Sequence, residues 1–251
     1  MSVAEGPDRP LVSVVTVCFN AEKTIRRTID SVLAQTYPNL EYLVVDGDST
    51  DGTLAILRSY EGRLSFSSEP DRGMYDAMNK GIRRVRGKWI HLVNADDWYA
   101  TPDALARAVP QLSEDRTNYF DLVRVYPDRE PVLQSRTVAR WMLYIAAFLP
   151  HPTLIVSREQ YERVGLYDPE LRIASDHDLI LRMIRYFPPK HMPMVLSMMD
   201  QSGVSARALS TSLEEFTQVT IRHGVPAAIA RTIQWLKSYW WGLRTSAPVR
   251  R

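Results

Sequence analysis

Short apolar runs alternate with segments of helical periodicity through the first half of the chain. This alternation restricts the possible folds more than any other feature of the sequence. The β-rich run 11–19 precedes a helical pattern over 22–35, and the apolar run 42–45 precedes a second helical pattern over 53–60. Such alternation predicts an α/β fold with a parallel sheet flanked by helices on both faces. The pattern continues with a strand over 64–66, a helix over 75–85 and a strand over 89–93.

The second half of the chain is less regular. Segments 121–126 and 131–134 flank a Pro-Asp pair, which predicts a hairpin or two edge strands. Helical periodicity returns over 138–148 and 176–186, and short apolar strands are predicted over 153–156 and 192–199. Because no low-complexity linker divides these elements, we expect one catalytic domain followed by a C-terminal segment.

Composition excludes several classes of protein. The 251 residues are 45% hydrophobic and 24% charged, which is typical of a globular domain. A net charge of +2 is too weak to indicate nucleic-acid binding. The single cysteine, Cys18, excludes an intrachain disulfide and a cysteine-rich metal centre. Residues 1–10 show no signal peptide and are expected to be flexible, so a cytoplasmic location is predicted.

Polar residues follow three of the predicted strands. The first strand ends at Phe19-Asn20, the second at Asp46 and the fourth at 94–97, which reads NADD. Ligands of open parallel sheets bind at the carboxyl ends of the strands, and crowded carboxylates favour a divalent cation or a hydrogen-bonding ligand. For residues 48–52 a simple turn and helix cap is an equally good interpretation.

Two common phosphate-binding loops are absent. Neither the G-x-G-x-x-G fingerprint of dinucleotide enzymes nor a G-x-x-x-x-G-K-[ST] loop occurs in the sequence. A phosphate would therefore be held in another way, and a cation on Asp96 that bridges to phosphate oxygens would achieve this.

Five ordered segments resemble the inverting nucleotide-sugar glycosyltransferases of family 2, which have the GT-A fold. They extend from about residue 12 to about residue 205 and read VSVVTVCFNAEKTIRRTIDSVLAQTYPNLEYLVVDGDSTDGT, EPDRGMYDAMNKGI, GKWIHLVNADDWY, HPTLIVSREQYERVGLYDPELRIASDHDLILR and SGVSAR. The second and third resemble members that build bacterial surface polysaccharides and glycolipids. The resemblance implies a GT-A catalytic domain over 11–207, with a donor half over 11–100 and an acceptor half over 101–207.

The resemblance also assigns roles in donor binding. Asp46 matches the acid that bonds the nucleotide base, and Asp71 to Gly73 match the loop that meets the donor. Residues 94–96 take the D-x-D position, where Asp96 is the expected ligand of Mn²⁺ or Mg²⁺. The donor-site candidates are Thr16, Phe19, Asn20, Glu22, Asp46, Asp48, Asp71, Arg72, Gly73, Asn79, Asn94, Ala95 and Asp96.

Asp176 matches the family's catalytic base, although its local sequence would equally suit a helix cap. As a base it would take a proton from an acceptor hydroxyl that displaces the nucleoside diphosphate with inversion. The helix dipole is expected to favour its ionised form. Candidates for the acceptor site are Asp97, His151, Ser175 and His177, while His191 and His223 are expected at the surface.

Two positions depart from the family pattern. Asn94 replaces the first acid of D-x-D, which predicts a weaker metal site because an amide oxygen carries no charge. Ser175 replaces the acid before the base, so one local negative charge is missing. The donor nucleotide is not readable from the sequence, and a UDP-sugar is the first choice.

The C-terminal segment 208–251 is basic and rich in aromatic residues. No acidic residue follows Glu215, and Ile229, Ile233 and Leu236 begin an apolar helical stripe in a segment that includes Trp235. This pattern predicts either a helix that lies on an anionic membrane surface or a helix packed on the catalytic domain. The first alternative would suit a peripheral protein on the cytoplasmic face of the inner membrane, acting on a lipid-linked saccharide or glycolipid.

Two other functions remain open on the sequence alone. A sugar-phosphate nucleotidyltransferase could use the same strand-end acids, although its usual glycine- and lysine-rich N-terminal loop is absent. A nucleotide-sugar-binding protein without turnover is the second alternative, because Asn94 and Ser175 both depart from the catalytic pattern.

Overall fold

The computed structural model describes residues 9–146, 149–201 and 209–246. The predicted flexible segment 1–10 therefore lies mostly outside the described residues, and the motif SGVSAR (202–207) lies entirely outside them. The strands are β1 (Val12–Cys18), β2 (Leu40–Asp46), β3 (Ser65–Ser68), β4 (Trp89–Asn94), β5 (Trp98–Tyr99), β6 (Thr117–Val125), β7 (Val132–Gln134), β8 (Ile155–Ser157) and β9 (Pro189–Asp200).

Five helices lie within about three residues of the predicted helical segments, whereas no pattern predicts the helix over 158–164. The helices are α1 (Ile25–Leu33), α2 (Thr53–Arg58), α3 (Met74–Arg84), α4 (Ala104–Ala108), α5 (Arg140–Ala146), α6 (Arg158–Val164), α7 (Ser175–Tyr186), α8 (Leu209–Arg222) and α9 (Ala227–Ser246). A 3₁₀ turn over His151–Thr153 replaces the start of the strand predicted over 153–156. The predicted strand over 192–199 is longer at both ends.

The sheet is mixed, with the strand order β3-β2-β1-β4-β8-β6-β9-β5. Strands β3, β2, β1 and β4 are parallel, as predicted for the first half. Strand β8 runs antiparallel to both β4 and β6, and β9 runs parallel to β6. The carboxyl ends of β1, β2, β4, β6 and β9 consequently meet at one edge of the sheet.

The predicted hairpin forms between β6 and β7, where Val123 pairs with Leu133. The alternative of two edge strands is wrong for β6, because this strand also pairs with β8 and β9. Its first six residues are buried, as expected of a strand covered on both faces.

The core lies on both faces of the sheet. Alternate residues of β1 point to opposite sides, so Val14 packs with Ile25 and Ile29 of α1 while Val15 packs with Met78 of α3. This double burial explains why β1 reads as a continuous apolar run rather than an alternating one.

Helix α8 extends the core beyond the predicted catalytic domain. Its Phe216 ring lies 5.2 Å from the ring of His177 at the start of α7. In the described ranges, no helix is both long enough and apolar enough to cross a bilayer.

Candidate active site

A cleft of about 1020 Å³ opens along the edge where the parallel strands end. Eight predicted donor-site residues line it, namely Phe19, Asn20, Glu22, Asp71, Gly73, Asn94, Ala95 and Asp96. Its further polar lining includes Asp51, Arg124, Tyr126, Arg129, Asp200 and Gln201. The strand-end rule therefore placed the cleft correctly, although six of its 22 lining residues lie outside the motif segments, namely Arg124, Tyr126, Arg129, Met199, Asp200 and Gln201.

The loops after β1 and β2 are tied together by hydrogen bonds. The Asn20 side-chain oxygen accepts from the backbone N–H of Thr50 at 2.9 Å, and the Asn20 N–H donates to Ser49 Oγ at 2.8 Å. The N–H of Gly52 donates to Glu22 at 2.8 Å. Asn20 has φ 50°, a left-handed conformation that asparagine tolerates better than most residues. These contacts preform the wall of the cleft near β1 and β2.

Asp71 approaches the backbone of the neighbouring loop closely. Its carboxylate accepts from the N–H of Gly73 at 2.8 Å. A Cβ at Gly47 would collide with the Asp71 carboxylate, so only glycine at position 47 permits this placement. Gly73 has φ 121°, a conformation that other residues adopt rarely, and it leads directly into α3.

The end of β4 carries buried oxygen atoms without partners. Asn94 Oδ1 and Asp97 Oδ1 are buried and accept no hydrogen bond from the described residues. Asn94 donates to the other Asp97 oxygen at 3.2 Å, while Asp96 lines the cleft. Burial raises the pKa of Asp96, and it raises the pKa of Asp97 well above its ordinary value. A buried polar group without a partner is costly, so these two oxygen atoms are candidates for binding water or an ion.

These oxygen atoms suit a divalent cation, because Mg²⁺ and Mn²⁺ prefer carboxylate and amide oxygens. Within the described part of the chain, no three His, Cys, Asp or Glu side chains are grouped to hold a metal by themselves. Asp96 and the free oxygen of Asn94 would therefore share a cation with water and with phosphate oxygens of a ligand.

Arg27 supplies positive charge beside this acidic edge. Its guanidinium donates to the Asp96 carbonyl oxygen at 3.0 Å and to the Asp200 carboxylate at 2.9 Å. It also stacks 3.6 Å from the ring of Trp98. Asp200 ends β9, and the sequence analysis did not single it out as a cleft residue.

Asp176 lies in the first turn of α7 and is partly buried. Its carboxylate accepts from the N–H of His177 at 2.7 Å and lies close to the Tyr75 hydroxyl. Burial raises its pKa to about 6 and outweighs the helix terminus, so the expectation of a favoured ionised form is wrong. Although Asp176 does not line the cleft itself, Tyr75 follows the cleft residue Met74 on α3.

Glu215 of α8 holds the loop that leads into α7. Its carboxylate accepts from three consecutive backbone N–H groups, those of Arg172 at 3.0 Å, Ile173 at 2.7 Å and Ala174 at 3.0 Å. The Tyr75 hydroxyl donates to the Ile173 carbonyl oxygen at 2.6 Å. Helices α3 and α8 thus fix the segment just before Asp176. No motif pointed to Glu215, because its role depends on residues about 40 positions earlier.

His223 and Asp178 form a second buried link between α8 and α7. The His223 ring lies 2.9 Å from the Asp178 carboxylate, which also accepts from Arg182 at 2.8 Å. These contacts hold the pKa of Asp178 below its ordinary value despite its burial. The surface positions expected for His223 and His191 are wrong, because the His191 side chain is 9% exposed and lies 2.6 Å from Asp121. A hydrogen-bonding partner distant in sequence allows each histidine to be buried.

Two predicted donor residues are structural in this arrangement. Thr16 is fully buried and its hydroxyl lies 3.1 Å from that of Tyr42, so it does not reach the cleft. The Asn79 amide is also buried and bonds both backbone groups of Tyr167, at 2.9 and 3.0 Å.

Three further donor candidates lie outside the cleft lining. Asp46 is fully buried, and its carboxylate accepts from the Ser49 N–H at 3.0 Å and from Ser68 Oγ at 2.6 Å, so its contact with a base stays a prediction. Asp48 is exposed with φ 67°. Arg72 pairs with Asp76 at 3.5 Å and is 68% exposed, which leaves its role in phosphate binding a prediction.

The four acceptor candidates also lie outside the cleft lining. Asp97 is buried beneath the end of β4, and Ser175 accepts from the Asp168 N–H at 2.7 Å while fully buried. His177 is 4% exposed, and burial lowers its pKa to about 3. His151 lies 2.8 Å from the Tyr167 hydroxyl, and burial lowers its pKa to about 4. In this arrangement Ser175 and His177 support the start of α7 from within the core.

Comparison with known proteins identifies the family. The model of glycosyl transferase family 2 matches residues 13–164. The chain belongs to glycosyl transferase family 2. This family 2 enzyme is 34% identical over 211 residues to an uncharacterized glycosyltransferase of Mycobacterium tuberculosis, and the match covers 78% of each chain. It is 26% identical to a PGL/p-HBAD biosynthesis glycosyltransferase of Mycobacterium bovis, over 91% of this chain and 92% of the relative.

Solved structures share the fold of the enzyme. S. aureus TarS 1-349 in complex with UDP-GlcNAc superposes with a TM-score of 0.68 and 20% identity, over 89% of this chain and 70% of that one. The mannosyltransferase PcManGT from Pyrobaculum calidifontis, in complex with GDP-Man and Mn²⁺, gives 0.64 and 20%, over 92% and 70%. Our chain spans 42% of the longer TarS chain. The predicted GT-A fold and glycosyltransferase class are confirmed, which favours them over the two alternative functions.

Proposed function

We propose that this enzyme transfers a sugar from a nucleoside diphosphate sugar to an acceptor hydroxyl with inversion at the anomeric carbon. The observation that carries this proposal is the cleft itself. It joins the preformed loops of β1 and β2 to Asp96 and to Asn94, whose side-chain oxygen has no partner among the described residues. Its wall also includes Met74 of α3, and the next residue, Tyr75, donates to the Ile173 carbonyl oxygen in the loop before Asp176.

The donor would lie across the parallel strand ends. The nucleoside would contact Phe19, Asn20 and the Asp71 loop, and its diphosphate would lie over the end of β4. The complexes of TarS with UDP-GlcNAc and of PcManGT with GDP-Man support a nucleotide-sugar donor, and a UDP-sugar remains our first choice.

Asp96 and Asn94 would hold the divalent cation, Mn²⁺ or Mg²⁺. A bound cation stabilises the negative charge that develops on the leaving diphosphate. Arg27 neutralises part of the charge of Asp200 and leaves the Asp96 side chain directed to the cleft.

Asp176 would act as the base. The acceptor oxygen forms a bond to the anomeric carbon, the bond from that carbon to the diphosphate oxygen breaks, and the hydroxyl proton passes to the Asp176 carboxylate. A pKa near 6 suits this role, because the carboxylate is ionised at neutral pH yet basic enough to accept a proton.

Replacing Glu215 by alanine is expected to lower kcat by about 10- to 100-fold, because small misplacements of a catalytic group are costly. The affinity for UDP, measured by calorimetry, should stay unchanged since Glu215 does not line the cleft. Glu215→Gln keeps one acceptor oxygen and should retain more activity than Glu215→Ala.

The exposed neighbour Glu214 provides the matched control for this prediction. Glu214→Ala should behave as wild type in kcat and in thermal stability. An unchanged kcat in Glu215→Ala, at intact UDP affinity, would show that α8 does not position the base.

We also propose that the acceptor is a lipid-linked saccharide or glycolipid at the cytoplasmic face of the inner membrane, where the enzyme would be peripheral. On α9, Ile229 is 51% exposed, Trp235 is 64% exposed and Leu236 is 43% exposed, whereas Ala230 is buried. The exposed apolar side chains support binding to a lipid surface, while Ala230 packs on the protein. The side chains predicted to continue the stripe beyond residue 237 lie outside the described residues.

The double variant Trp235→Glu/Leu236→Glu is expected to bind vesicles of phosphatidylglycerol and phosphatidylcholine about tenfold more weakly or worse, because burial of these side chains is lost. Vesicle sedimentation measures this. Leu133→Glu changes a similarly exposed side chain on β7 and should have no effect. Equal binding by all three proteins would contradict membrane association through α9.

A thermal-shift screen tests the proposed function directly. Purified enzyme would be heated with the diphosphates of uridine, guanosine and thymidine, each with and without Mn²⁺ or Mg²⁺. A ligand that binds the native state raises the melting temperature by mass action. Stabilisation by one nucleotide, followed by hydrolysis or transfer of the corresponding sugar, would support the proposal. If none of these nucleotides raises the melting temperature, the proposed function is contradicted.

A further inference from the structure

The turn between β6 and β7 places two arginines in the wall of the cleft. Arg124 near the end of β6, together with Tyr126 and Arg129 in the turn, lines the same cavity as Asp96. Strand β6 has the direction of β4 and ends at the same edge, with β8 between them. These arginines therefore lie on the side of β4 opposite to β1 and β2, whose loops form the proposed nucleoside site.

Both guanidinium groups retain capacity for an anion. Arg124 donates through Nε to the neutral side chain of Gln134 at 2.9 Å, and Arg129 stacks 3.5 Å from the ring of Tyr126. Within the described residues, neither arginine forms an ion pair with a carboxylate. In the turn, Asp128 and Glu130 flank Arg129 in the sequence, and Asp200 at the end of β9 binds Arg27.

Stacking on Tyr126 orients the Arg129 guanidinium and leaves its N–H groups available to an anion. An aromatic ring beneath a guanidinium covers its face and restricts its rotation, while the N–H groups at its edge remain directed outwards. An arginine in this state is suited to bidentate hydrogen bonding with a carboxylate or a phosphate. Hydrogen bonding of Arg124 through Nε similarly orients its guanidinium and leaves the Nη groups for another partner.

We propose that Arg124 and Arg129 bind a negatively charged group of the acceptor, a phosphate or a carboxylate near the reacting hydroxyl. This inference rests on the proposed glycosyl transfer and narrows its acceptor to acidic molecules. The cleft lining carries five carboxylates, those of Glu22, Asp51, Asp71, Asp96 and Asp200, of which Asp200 pairs with Arg27. An anionic acceptor therefore needs positive charge beside it, which Arg124 and Arg129 would supply. The donor diphosphate is also an anion that arginines could bind. Its proposed place is over the end of β4, however, and β8 lies between β4 and the strand that leads into this turn.

Inorganic phosphate is the probe that tests the proposal. It would be titrated by calorimetry, at constant ionic strength, into enzyme saturated with UDP and Mg²⁺. The double variant Arg124→Gln/Arg129→Gln should bind phosphate about tenfold more weakly or worse, because two charge-assisted interactions are lost. Its affinity for UDP should equal that of wild type. The matched control is Arg163→Gln, which removes an arginine stacked 4.7 Å from the ring of Tyr186 on α7.

Each other outcome overturns the proposal in a distinct way. If the UDP complex binds no phosphate, or binds it equally in the double variant, the turn is not an anion site. If the double variant loses affinity for UDP, the arginines serve the donor diphosphate and not the acceptor. If wild type binds none of the nucleoside diphosphates, the proposed function fails and this inference fails with it.

Discussion

Asp176→Asn is expected to lower kcat by about 10³-fold while leaving the affinity for UDP nearly unchanged. Asparagine keeps the size of the side chain and an oxygen that can accept from the His177 N–H, but it cannot take a proton. General-base catalysis typically contributes a factor of about 10²–10⁴. Steady-state kinetics with the donor identified by the thermal-shift screen would measure the loss, and calorimetry with UDP would check binding.

The pH profile provides a second readout of the same residue. Burial raises the pKa of Asp176 to about 6, so kcat/KM of the wild type should rise with pH and level off above that value. The base is protonated and inactive below it. This rise of kcat/KM with pH should be absent from the residual activity of Asp176→Asn.

The same substitution is expected to stabilise the protein at pH 8. Because the folded-state pKa of Asp176 lies above its unfolded value, the folded protein binds more protons between about pH 4 and pH 6. The free energy of unfolding thus falls as pH rises through that window and remains lower above it. Asparagine removes this cost, which amounts to about 1–3 kcal/mol, and should raise the melting temperature.

Asp178 provides the control, since it lies two residues further along the same helix. Its hydrogen bond with His223 and its ion pair with Arg182 hold its pKa below the ordinary value, so its ionised form stabilises the fold. Asp178→Asn should therefore lower the melting temperature at pH 8, opposite to Asp176→Asn. If both variants are destabilised and Asp176→Asn stays active, Asp176 is a structural residue of α7 and not the base.

Asp96→Ala is expected to abolish the part of UDP binding that depends on a divalent cation. In wild type, UDP with Mn²⁺ should raise the melting temperature more than UDP alone, and a ligand at about 100 times its Kd contributes about 3 kcal/mol. In Asp96→Ala the two shifts should be equal. This readout requires no acceptor and no turnover.

Asn94→Ala should also reduce the Mn²⁺-dependent increment, because it removes the buried oxygen that has no partner among the described residues. Asp115→Ala removes an exposed carboxylate outside the cleft and should change nothing. A full Mn²⁺ increment in Asp96→Ala would place the cation elsewhere or show that the enzyme binds UDP without one.

Local sequence determined most of the helices, the parallel half of the sheet and the position of the cleft. The period of the apolar residues shows which side of a helix or strand is buried, and this period can be recognised from residues close together in the sequence. The ends of the strands before Asn20 and Asn94 could also be predicted from local sequence. Because parallel strands place their carboxyl ends at one edge of the sheet, these ends located the cleft.

Side-chain direction within a motif was decided by packing. Asn79 and His177 belong to segments that match the family pattern, yet both point into the core, where Asn79 bonds the Tyr167 backbone and His177 meets Phe216. A motif gives the order of residues along the chain, whereas the face of the helix that meets the cleft depends on how that helix packs.

The tertiary structure alone brought Glu215 to the loop before Asp176, and it brought Arg124 and Arg129 into the same cleft as the loops after β1 and β2, on the other side of β4. These residues carry no local pattern, and the segments they meet lie far away in the sequence. From the linear sequence alone, a charged side chain on a surface helix or turn is predicted to be solvent-exposed. Its function follows from what the fold places within hydrogen-bonding distance, because electrostatic and hydrogen-bond energies depend on separation in space and not along the chain.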